Sequence, residues 1–196
     1  MIAVIDSGVA NLASVMAALQ RLGADAIVTS DADVVGAADR VIFPGVGAAA
    51  AAMARLNARG LDARLRTLTR PVLGICLGMQ LLFTGSEENG GTEGLGVLEG
   101  IVRRLPVPAH IIVPHMGWNT LKIETQHPLL KGVDDVDFVY FVHSYAAGAG
   151  KHTLASCYHG TRFSAVVGRD NFFGCQFHPE RSGAVGGRVL QNFLEL

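Results

Sequence analysis

The sequence predicts an α/β fold, a three-layer sandwich with helices on both faces of a mostly parallel central sheet and an antiparallel extension. Short apolar runs alternate with amphipathic helical stretches in the first 80 residues, and this β–α–β order is typical of parallel strands. A length of 196 residues with 49% hydrophobic and 17% charged residues suits one domain with a sizeable core. No linker, repeat or charge run divides the chain, so residues 1–196 are predicted to form a single domain.

The first part of the chain supplies the β–α–β order. Residues 1–6 are an apolar run that predicts the first strand, and residues 11–22 carry apolar side chains at helical spacing. Gly23 is the expected end of that helix. The next strands are predicted at 26–29, 40–43 and 71–75, and the next helices at 48–59 and 61–69.

The organising stretch is Gly74-Ile75-Cys76-Leu77-Gly78, where a buried strand is predicted to end and a helix to begin. Gly-x-Cys-x-Gly is the thiol form of the nucleophile elbow, a sharp strand-to-helix turn that exposes a reactive side chain. Flanking glycines remove the Cβ clashes that block such a turn. A sulfur at a helix N-terminus is favoured as the thiolate. The motif alone is equally compatible with a small buried core cysteine.

The second half of the chain departs from the β–α–β order. Residues 86–96 are rich in Gly and Glu and predict a surface loop. Residues 168–171 predict a hairpin turn, and 183–196 predict a closing helix. Strands are predicted at 97–105, 111–113, 121–123, 137–145, 153–158, 164–167 and 172–177, the first three of them antiparallel.

A possible base for the thiol lies near the C-terminus, in Phe177-His178-Pro179-Glu180. A nucleophilic thiol requires a base, and the base requires an orienting acceptor. Pro179 biases His178 toward extended backbone, in which Glu180 would point to the same side as the imidazole. The alternative is a strand-end histidine bonded to a carbonyl. Together with the elbow, the pattern favours a Cys76–His178–Glu180 triad.

Composition excludes several classes of function. A net charge of −1 without a basic block argues against nucleic-acid binding, and no apolar run approaches the ~20 residues of a membrane span. There is no P-loop or dinucleotide motif and no paired Cys/His spacing, so neither cofactor nor metal is predicted. Three cysteines in no even framework predict a reducing, cytoplasmic setting, with Cys157 and Cys175 in the core.

The segments Gly-Ile-Cys-Leu-Gly-Met-Gln (74–80) and Phe-His-Pro-Glu (177–180) resemble the class I, triad-type glutamine amidotransferases. Within that family, the chain is similar to the glutaminase subunits of imidazole glycerol phosphate synthase. The resemblance runs almost end to end. Its supporting pieces are residues 5–12, 44–47, 114–119, 140–145 and 178–182.

The resemblance implies roles for further residues. Val46, Gly47 and Leu77 would form the oxyanion hole through their backbone, although a plain strand-to-helix turn would also explain the Pro-Gly-Val-Gly segment at 44–47. Glutamine would be bound by Gln80, His143, Ser144 and Tyr145, where the last three could otherwise be simple strand caps.

The resemblance also implies a partner. The ammonia released from glutamine would pass to a cyclase subunit, a (β/α)₈ barrel, in a heterodimer whose interface includes Asn11, Trp118 and Arg181. By itself Trp118 is as compatible with a core position as with an interface anchor. The alternatives are a glutaminase subunit that feeds chorismate, carbamate or pyridoxal chemistry, a non-catalytic regulatory module of the same fold, and a thiol hydrolase of peptides.

Overall fold

The fold is that of a computed structural model of the chain, which describes residues 1–8 and 11–196. Val9 and Ala10, within the 5–12 segment of the family resemblance, lie outside the described residues. The strands are β1 (Ile2–Ile5), β2 (Ala26–Thr29), β3 (Arg40–Gly45), β4 (Val72–Cys76), β5 (Phe83–Ser86), β6 (Thr92–Glu93), β7 (Leu98–Arg104), β8 (His115–Thr120), β9 (Lys122–Ile123), β10 (Phe138–His143), β11 (Tyr145–Ala147), β12 (Thr153–Tyr158), β13 (Arg162–Arg169) and β14 (Phe172–Cys175). The helices are α1 (Leu12–Arg21), α2 (Ala32–Ala37), α3 (Ala49–Ala58), α4 (Leu61–Arg66), α5 (Leu77–Leu81) and α6 (Gly183–Glu195), with 3₁₀ turns at Glu88–Gly90, Pro128–Leu130 and Pro179–Arg181.

The main sheet has eight strands in the order β2-β1-β3-β4-β14-β13-β12-β9. The first five are parallel to one another, and β13, β12 and β9 continue the sheet in antiparallel fashion. The predicted mostly parallel sheet with an antiparallel extension is confirmed. In the register of the parallel strands, Gly45 lies opposite Cys76 and Cys175 lies opposite Ile75. Both sequence motifs therefore emerge at the same carboxyl edge, where open α/β sheets place their ligands.

Helices cover both faces of this sheet, which gives the three predicted layers. Along β1, Ile2 and Val4 pack into one core with α1 and α6, whereas Ala3 and Ile5 pack into another with α2, α3, α4 and α5. Successive side chains of a strand point to opposite faces. Burial on both sides explains why these strands are continuous apolar runs and not alternating ones.

Two smaller sheets stand beside the main one. One joins β11, β7, β5 and β6, and the other is the antiparallel pair of β10 and β8. In that pair Tyr140 lies opposite Trp118 and Val142 lies opposite Met116. Ser144 separates β10 from β11, so the predicted single strand at 137–145 is wrong: the chain changes sheets at that residue.

Other predictions of local structure are also corrected. Residues 111–113 form no strand: the segment lies between Pro108 and Pro114, which donate no backbone hydrogen bond, and Ile112 is 79% exposed. The predicted loop at 86–96 contains β6, which pairs with β5. The structure adds β8, which contains Trp118, and helix α2, whose first turn is capped by Asp31.

Candidate active site

Cys76 lies at the turn between β4 and α5, with φ 53° and ψ −109°. Positive φ is unusual for a residue with a Cβ, and such strain is concentrated at functional sites. The flanking glycines make the turn possible. A Cβ on Gly78 would lie 1.7 Å from the Phe43 carbonyl oxygen, and one on Gly74 would lie 2.6 Å from the Met79 nitrogen. The sequence pattern is therefore explained by the close approach of α5 to β3 and β4.

His178 and Glu180 form a buried pair close to this turn. The imidazole Nδ1 lies 2.8 Å from Glu180 Oε1, and the two side chains are 6% and 2% exposed. His178 is extended, as Pro179 predicts, but Glu180 lies in the 3₁₀ turn Pro179–Arg181. The sequence predicted that extended backbone would bring Glu180 to His178. In the structure a 3₁₀ turn makes this contact instead.

The charge on His178 is set by competing effects. Burial disfavours the imidazolium, but interactions with Cys76 and with Glu180 outweigh it and raise the pKa of His178 from 6.5 to about 10. Within the described residues His178 Nε2 makes no hydrogen bond of good geometry, so Cys76 acts on the imidazole through its charge. The His178 imidazole is therefore protonated at neutral pH.

A cavity of about 350 Å³ opens in front of Cys76. Its walls include all seven residues that the resemblance assigns to the oxyanion hole and to glutamine. Gly47 has φ +92°, which a residue with a side chain rarely adopts. The lining residues are Val46, Gly47, Cys76, Leu77, Gln80, Glu88, Val142, His143, Ser144 and Tyr145.

The polar groups of this wall are largely committed to one another. Gln80 Nε2 donates to the Tyr145 carbonyl at 2.8 Å and to Gln176 Oε1 at 3.0 Å. No donor among residues 1–8 and 11–196 bonds to the Gln80 side-chain oxygen, which is therefore available to a ligand. His143 uses one ring nitrogen on the Tyr145 carbonyl and the other on His115. Its ring therefore has no spare nitrogen with which to bind glutamine directly.

Sequence reasoning missed two residues of the site. Glu88 lines the cavity, and its carboxylate accepts a hydrogen bond from the Ala49 backbone at 2.7 Å. Gln176 is wholly buried, with Nε2 3.7 Å from the Cys76 sulfur. The position of Gln176 was available as a signal, since it lies two residues before the predicted base His178. For Glu88 the sequence holds no such signal, because a Gly- and Glu-rich segment reads as a loop.

Two of the three predicted interface residues are brought together. Trp118 is 55% exposed and packs edge to face on Tyr140 at 5.9 Å between ring centroids. The Arg181 guanidinium lies 5.6 Å from the centre of the same Tyr140 ring. Asn11 instead caps helix α1, with its side chain accepting a hydrogen bond from the Ser14 backbone at 3.4 Å.

The other two cysteines do not line the cavity. Cys157 and Cys175 are buried in the core, as predicted, and burial raises the pKa of Cys157 to about 12. Residues 1–8 and 11–196 contain no group of three His, Cys, Asp or Glu side chains arranged to hold a metal ion. In the same part of the chain, none of the helices has the length and apolarity needed to cross a membrane.

Comparisons with known proteins identify the family of the chain. The family model for class-I glutamine amidotransferases matches residues 3–196. The HisH subunit of imidazole glycerol phosphate synthase from Xanthomonas euvesicatoria is 53% identical over 195 residues, covering 100% of this chain and 97% of that protein. The HisH subunit from Pectobacterium atrosepticum is 47% identical, covering 100% and 99%. A crystal structure of a glutamine amidotransferase has the same fold, with a TM-score of 0.77 at 19% identity over 99% of this chain and 97% of that one.

The chain belongs to the class-I glutamine amidotransferase family. Within it, the relatives that match over nearly the full length include the HisH subunits of imidazole glycerol phosphate synthase.

Proposed function

We propose that this chain hydrolyses glutamine to glutamate and ammonia as the glutaminase subunit of an imidazole glycerol phosphate synthase, in histidine biosynthesis. The observation that carries the proposal is a strained cysteine beside a buried His–Glu pair at the mouth of a cavity. The full-length likeness to HisH subunits selects this activity among those of the family. Three free cysteines suit the reducing cytoplasm, where we place the protein.

The first half of the reaction is acyl transfer to Cys76. The thiolate attacks the side-chain carboxamide carbon of glutamine, and the new C–S bond converts the carbonyl oxygen into an oxyanion. Val46, Gly47 and Leu77 line the cavity, and their backbone N–H groups are the proposed donors to that oxyanion. Each such donor is typically worth ~10²–10³ in rate. His178 then gives its proton to the departing nitrogen, so that ammonia leaves and a thioester remains.

The second half of the reaction is hydrolysis of the thioester. The negative sulfur is one of the groups that raise the pKa of His178, and that charge is lost when the C–S bond forms. The neutral imidazole is then able to take a proton from water, whose oxygen attacks the thioester carbon. Collapse of this second intermediate releases glutamate and restores the thiolate and the imidazolium. Glu180 holds the imidazole in the required tautomer throughout.

The amino-acid end of glutamine would be bound at the opposite end of the cavity. Glu88 is the one acidic side chain among the described lining residues, and its charge is complementary to the α-ammonium of glutamine. The free side-chain oxygen of Gln80 is a second acceptor for that ammonium. Ser144 and Tyr145 complete the wall, and backbone or hydroxyl donors there would meet the α-carboxylate.

The ammonia would pass to a cyclase subunit, a (β/α)₈ barrel, in a heterodimer. Free ammonia is protonated in neutral water and then cannot act as a nucleophile, so a sealed route to the acceptor is required. A band of side chains on β8 and β10, which we call the aromatic ribbon, lies beside the cavity-lining Val142. It consists of the exposed Met116, Trp118 and Phe138 and the partly buried Tyr140. Exposed aromatic clusters are typical of interface hot spots. With Arg181 over Tyr140, this ribbon is the proposed partner surface, and Asn11 is a proposed additional contact.

Glutaminase assays of the free chain and of its complex with the cyclase subunit, with and without the ribotide acceptor, test this function. We expect slow turnover by the free chain and strong acceleration in the complex with acceptor, because Gly45 and Gly47 let the intervening peptide rotate between a productive and an unproductive orientation. Glutamine turnover by neither form would contradict the proposed function. Turnover by the free chain as fast as by the full complex would contradict the switch alone.

A further inference from the structure

The Gln176 side chain lies beside the nucleophile, and the fold places it there. Cys175 lies opposite Ile75 in the parallel pair of β14 and β4. Gln176 and Cys76 are the next residues along these two segments and are therefore neighbours. The Gln176 side chain is wholly buried, and its Nε2 lies 3.7 Å from the Cys76 sulfur. This distance is within the range for a hydrogen bond from an amide N–H to sulfur.

The orientation of the Gln176 amide follows from its neighbours. A backbone carbonyl can only accept, so the Gln80 group within 2.8 Å of the Tyr145 oxygen is the NH₂. The same NH₂ lies 3.0 Å from the Gln176 side chain, which must therefore present its oxygen to Gln80. The Gln176 NH₂ consequently faces the sulfur. A flipped amide would set two NH₂ groups against each other and an oxygen against the thiolate.

The Tyr145 carbonyl is itself held by a second chain of hydrogen bonds. His143 Nδ1 donates to it at 2.9 Å, so His143 Nε2 accepts from His115 Nδ1 at 3.0 Å. His115 Nε2 then accepts from the Asn119 amide at 3.2 Å. Each tautomer is thus fixed by the next group. Burial foremost lowers the pKa of His115 to about 3 and that of His143 to about 4, so both rings are neutral at physiological pH.

We propose that Gln176 is a further catalytic residue, whose side-chain N–H donates to the Cys76 sulfur and stabilises its thiolate. This inference rests on the proposed function of Cys76 as the nucleophile. A hydrogen bond to a charged acceptor is stronger than one to a neutral acceptor, so the donor favours the thiolate over the thiol. It also stabilises the thiolate that departs when water opens the thioester. Gln80, Tyr145 and His143 act as positioning residues, since they orient the Gln176 amide without touching the sulfur in this arrangement.

Alkylation of Cys76 by iodoacetamide as a function of pH tests the proposal in the free chain without glutamine. Only the thiolate reacts. Cys76 lines the cavity, whereas burial raises the pKa of the Cys157 and Cys175 thiols and so disfavours their thiolates. The variants are Gln176→Met, which keeps the side-chain length but removes the donor, and Gln176→Glu, which places an oxygen against the sulfur. The surface change Gln20→Glu, on the exposed side of α1, is the control for added charge.

Both Gln176 variants should alkylate about 10- to 100-fold more slowly at neutral pH, because a hydrogen bond to a charged group is commonly worth that factor. The pH at half-maximal rate should move upward, more for Gln176→Glu than for Gln176→Met, and should not move for Gln20→Glu. Thermal unfolding tests whether the variants are folded under these conditions. An unchanged pH profile in a folded Gln176→Met protein would overturn the proposal. If the parent complex does not turn over glutamine at all, only the proposed function is overturned.

The positioning role of His143 has a matched pair of variants. The Asn side-chain NH₂ can replace the Nδ1–H of histidine toward the Tyr145 carbonyl, whereas a leucine side chain cannot. We expect His143→Asn to keep the parent pH profile of alkylation and His143→Leu to shift it in the same direction as Gln176→Met. Equal profiles for the two variants would show that His143 does not orient the amide.

Discussion

Cys76 shows how one residue can combine strain and function. Its backbone has φ 53°, a conformation that costs of order 1–3 kcal/mol for a residue with a Cβ. A glycine would adopt this geometry freely, yet a glycine has no sulfur. A strained cysteine at this turn is consistent with the proposed role of its sulfur as the nucleophile, and the rest of the elbow holds it in place.

Replacement of Cys76 separates these two properties. Cys76→Ala should lose at least about 10³-fold in glutamine turnover while remaining folded, because the nucleophile is absent. Cys76→Gly should be equally inactive but at least as stable as Cys76→Ala, because relief of strain offsets the greater chain entropy of glycine. Denaturant unfolding and glutaminase assays measure both properties. Labelling of Cys157 or Cys175 by a glutamine-like alkylating agent, with activity retained in Cys76→Ala, would refute the assignment.

The His178–Glu180 pair gives a prediction for pH. Since interactions with Cys76 and Glu180 raise the pKa of His178 from 6.5 to about 10, the charged pair adds stability that is fully present below pH 6.5 and is lost as pH rises through 10. Glu180→Gln lowers that pKa by removing the carboxylate charge. The difference in unfolding free energy between parent and Glu180→Gln should therefore narrow above about pH 10. NMR titration of the His178 ring measures its pKa in both proteins. Denaturant unfolding below pH 6.5 and above pH 10 measures the difference in unfolding free energy.

The same pair predicts an order of kinetic effects. His178→Asn should reduce glutamine turnover more than Glu180→Gln, because the imidazole transfers protons while the carboxylate orients it. Steady-state kinetics of the two variants with the partner subunit decide the order. A larger loss for Glu180→Gln would mean that the carboxylate does more than orient the imidazole.

At the scale of elements, the site depends on how closely two helices approach its supporting segments, a strand in one case and a turn in the other. Helix α5 packs against β3 so tightly that Gly78 has no room for a Cβ. Helix α6 does the same to the 3₁₀ turn that carries Glu180: a Cβ on Gly186 would lie 2.0 Å from the Pro179 carbonyl oxygen. Close packing of α6 therefore supports the turn in which Glu180 meets His178.

The adjacent glycines of α6 provide a matched test of that packing. Gly186→Ala should destabilise the protein by several kcal/mol and reduce glutamine turnover, because the Pro179–Arg181 turn must shift. Gly187→Ala meets no atom within 4 Å and should stabilise the helix by about 0.5–1 kcal/mol without loss of activity. Chemical denaturation and activity of both variants measure this. Equal stability of the two variants would show that the turn yields to α6 at little cost.

At the scale of the whole molecule, the cavity and the aromatic ribbon meet on one strand. Within β10, Val142 lines the cavity and its carbonyl oxygen lies 3.9 Å from the Cys76 sulfur, while Tyr140 on the same strand carries Trp118 and Arg181. A partner bound on the ribbon would thus contact the strand that forms a wall of the active site. Such continuity provides a physical route by which partner binding can affect catalysis.

Trp118 is the residue of the ribbon whose removal should weaken the complex most. Trp118→Ala should raise the dissociation constant for the cyclase subunit by about 30-fold or more, as truncation of an aromatic hot spot commonly does, and should leave the slow basal turnover of the free chain unchanged. Titration calorimetry with the cyclase subunit measures this. Ile27→Ala, an exposed apolar change on the edge strand β2, is the control. An unchanged dissociation constant for Trp118→Ala would exclude the ribbon as the interface.

Much of this protein could be predicted from local patterns in its sequence. Apolar runs and helical spacing predicted the parallel strands and most helices, because burial on two faces leaves a strong signature in strands such as β1 and β4. Two short motifs predicted Cys76, His178 and Glu180 as one group. The signal failed where prolines or sheet changes decide the structure, as at residues 111–113 and at Ser144.

Only the tertiary structure decided which distant groups meet. Gln176, Gln80 and Tyr145 are separated by up to 96 positions along the chain, yet they share hydrogen bonds, because the register of parallel strands and the packing of α5 bring them together. Glu88 enters the cavity from a segment whose composition indicates a loop. By itself the sequence determined the fold class and led to the proposed nucleophile and base, because these depend on local periodicity and short motifs. The hydrogen-bond network around the sulfur and the contact of Trp118 with Tyr140 depend on register and packing between distant segments, which no local pattern records.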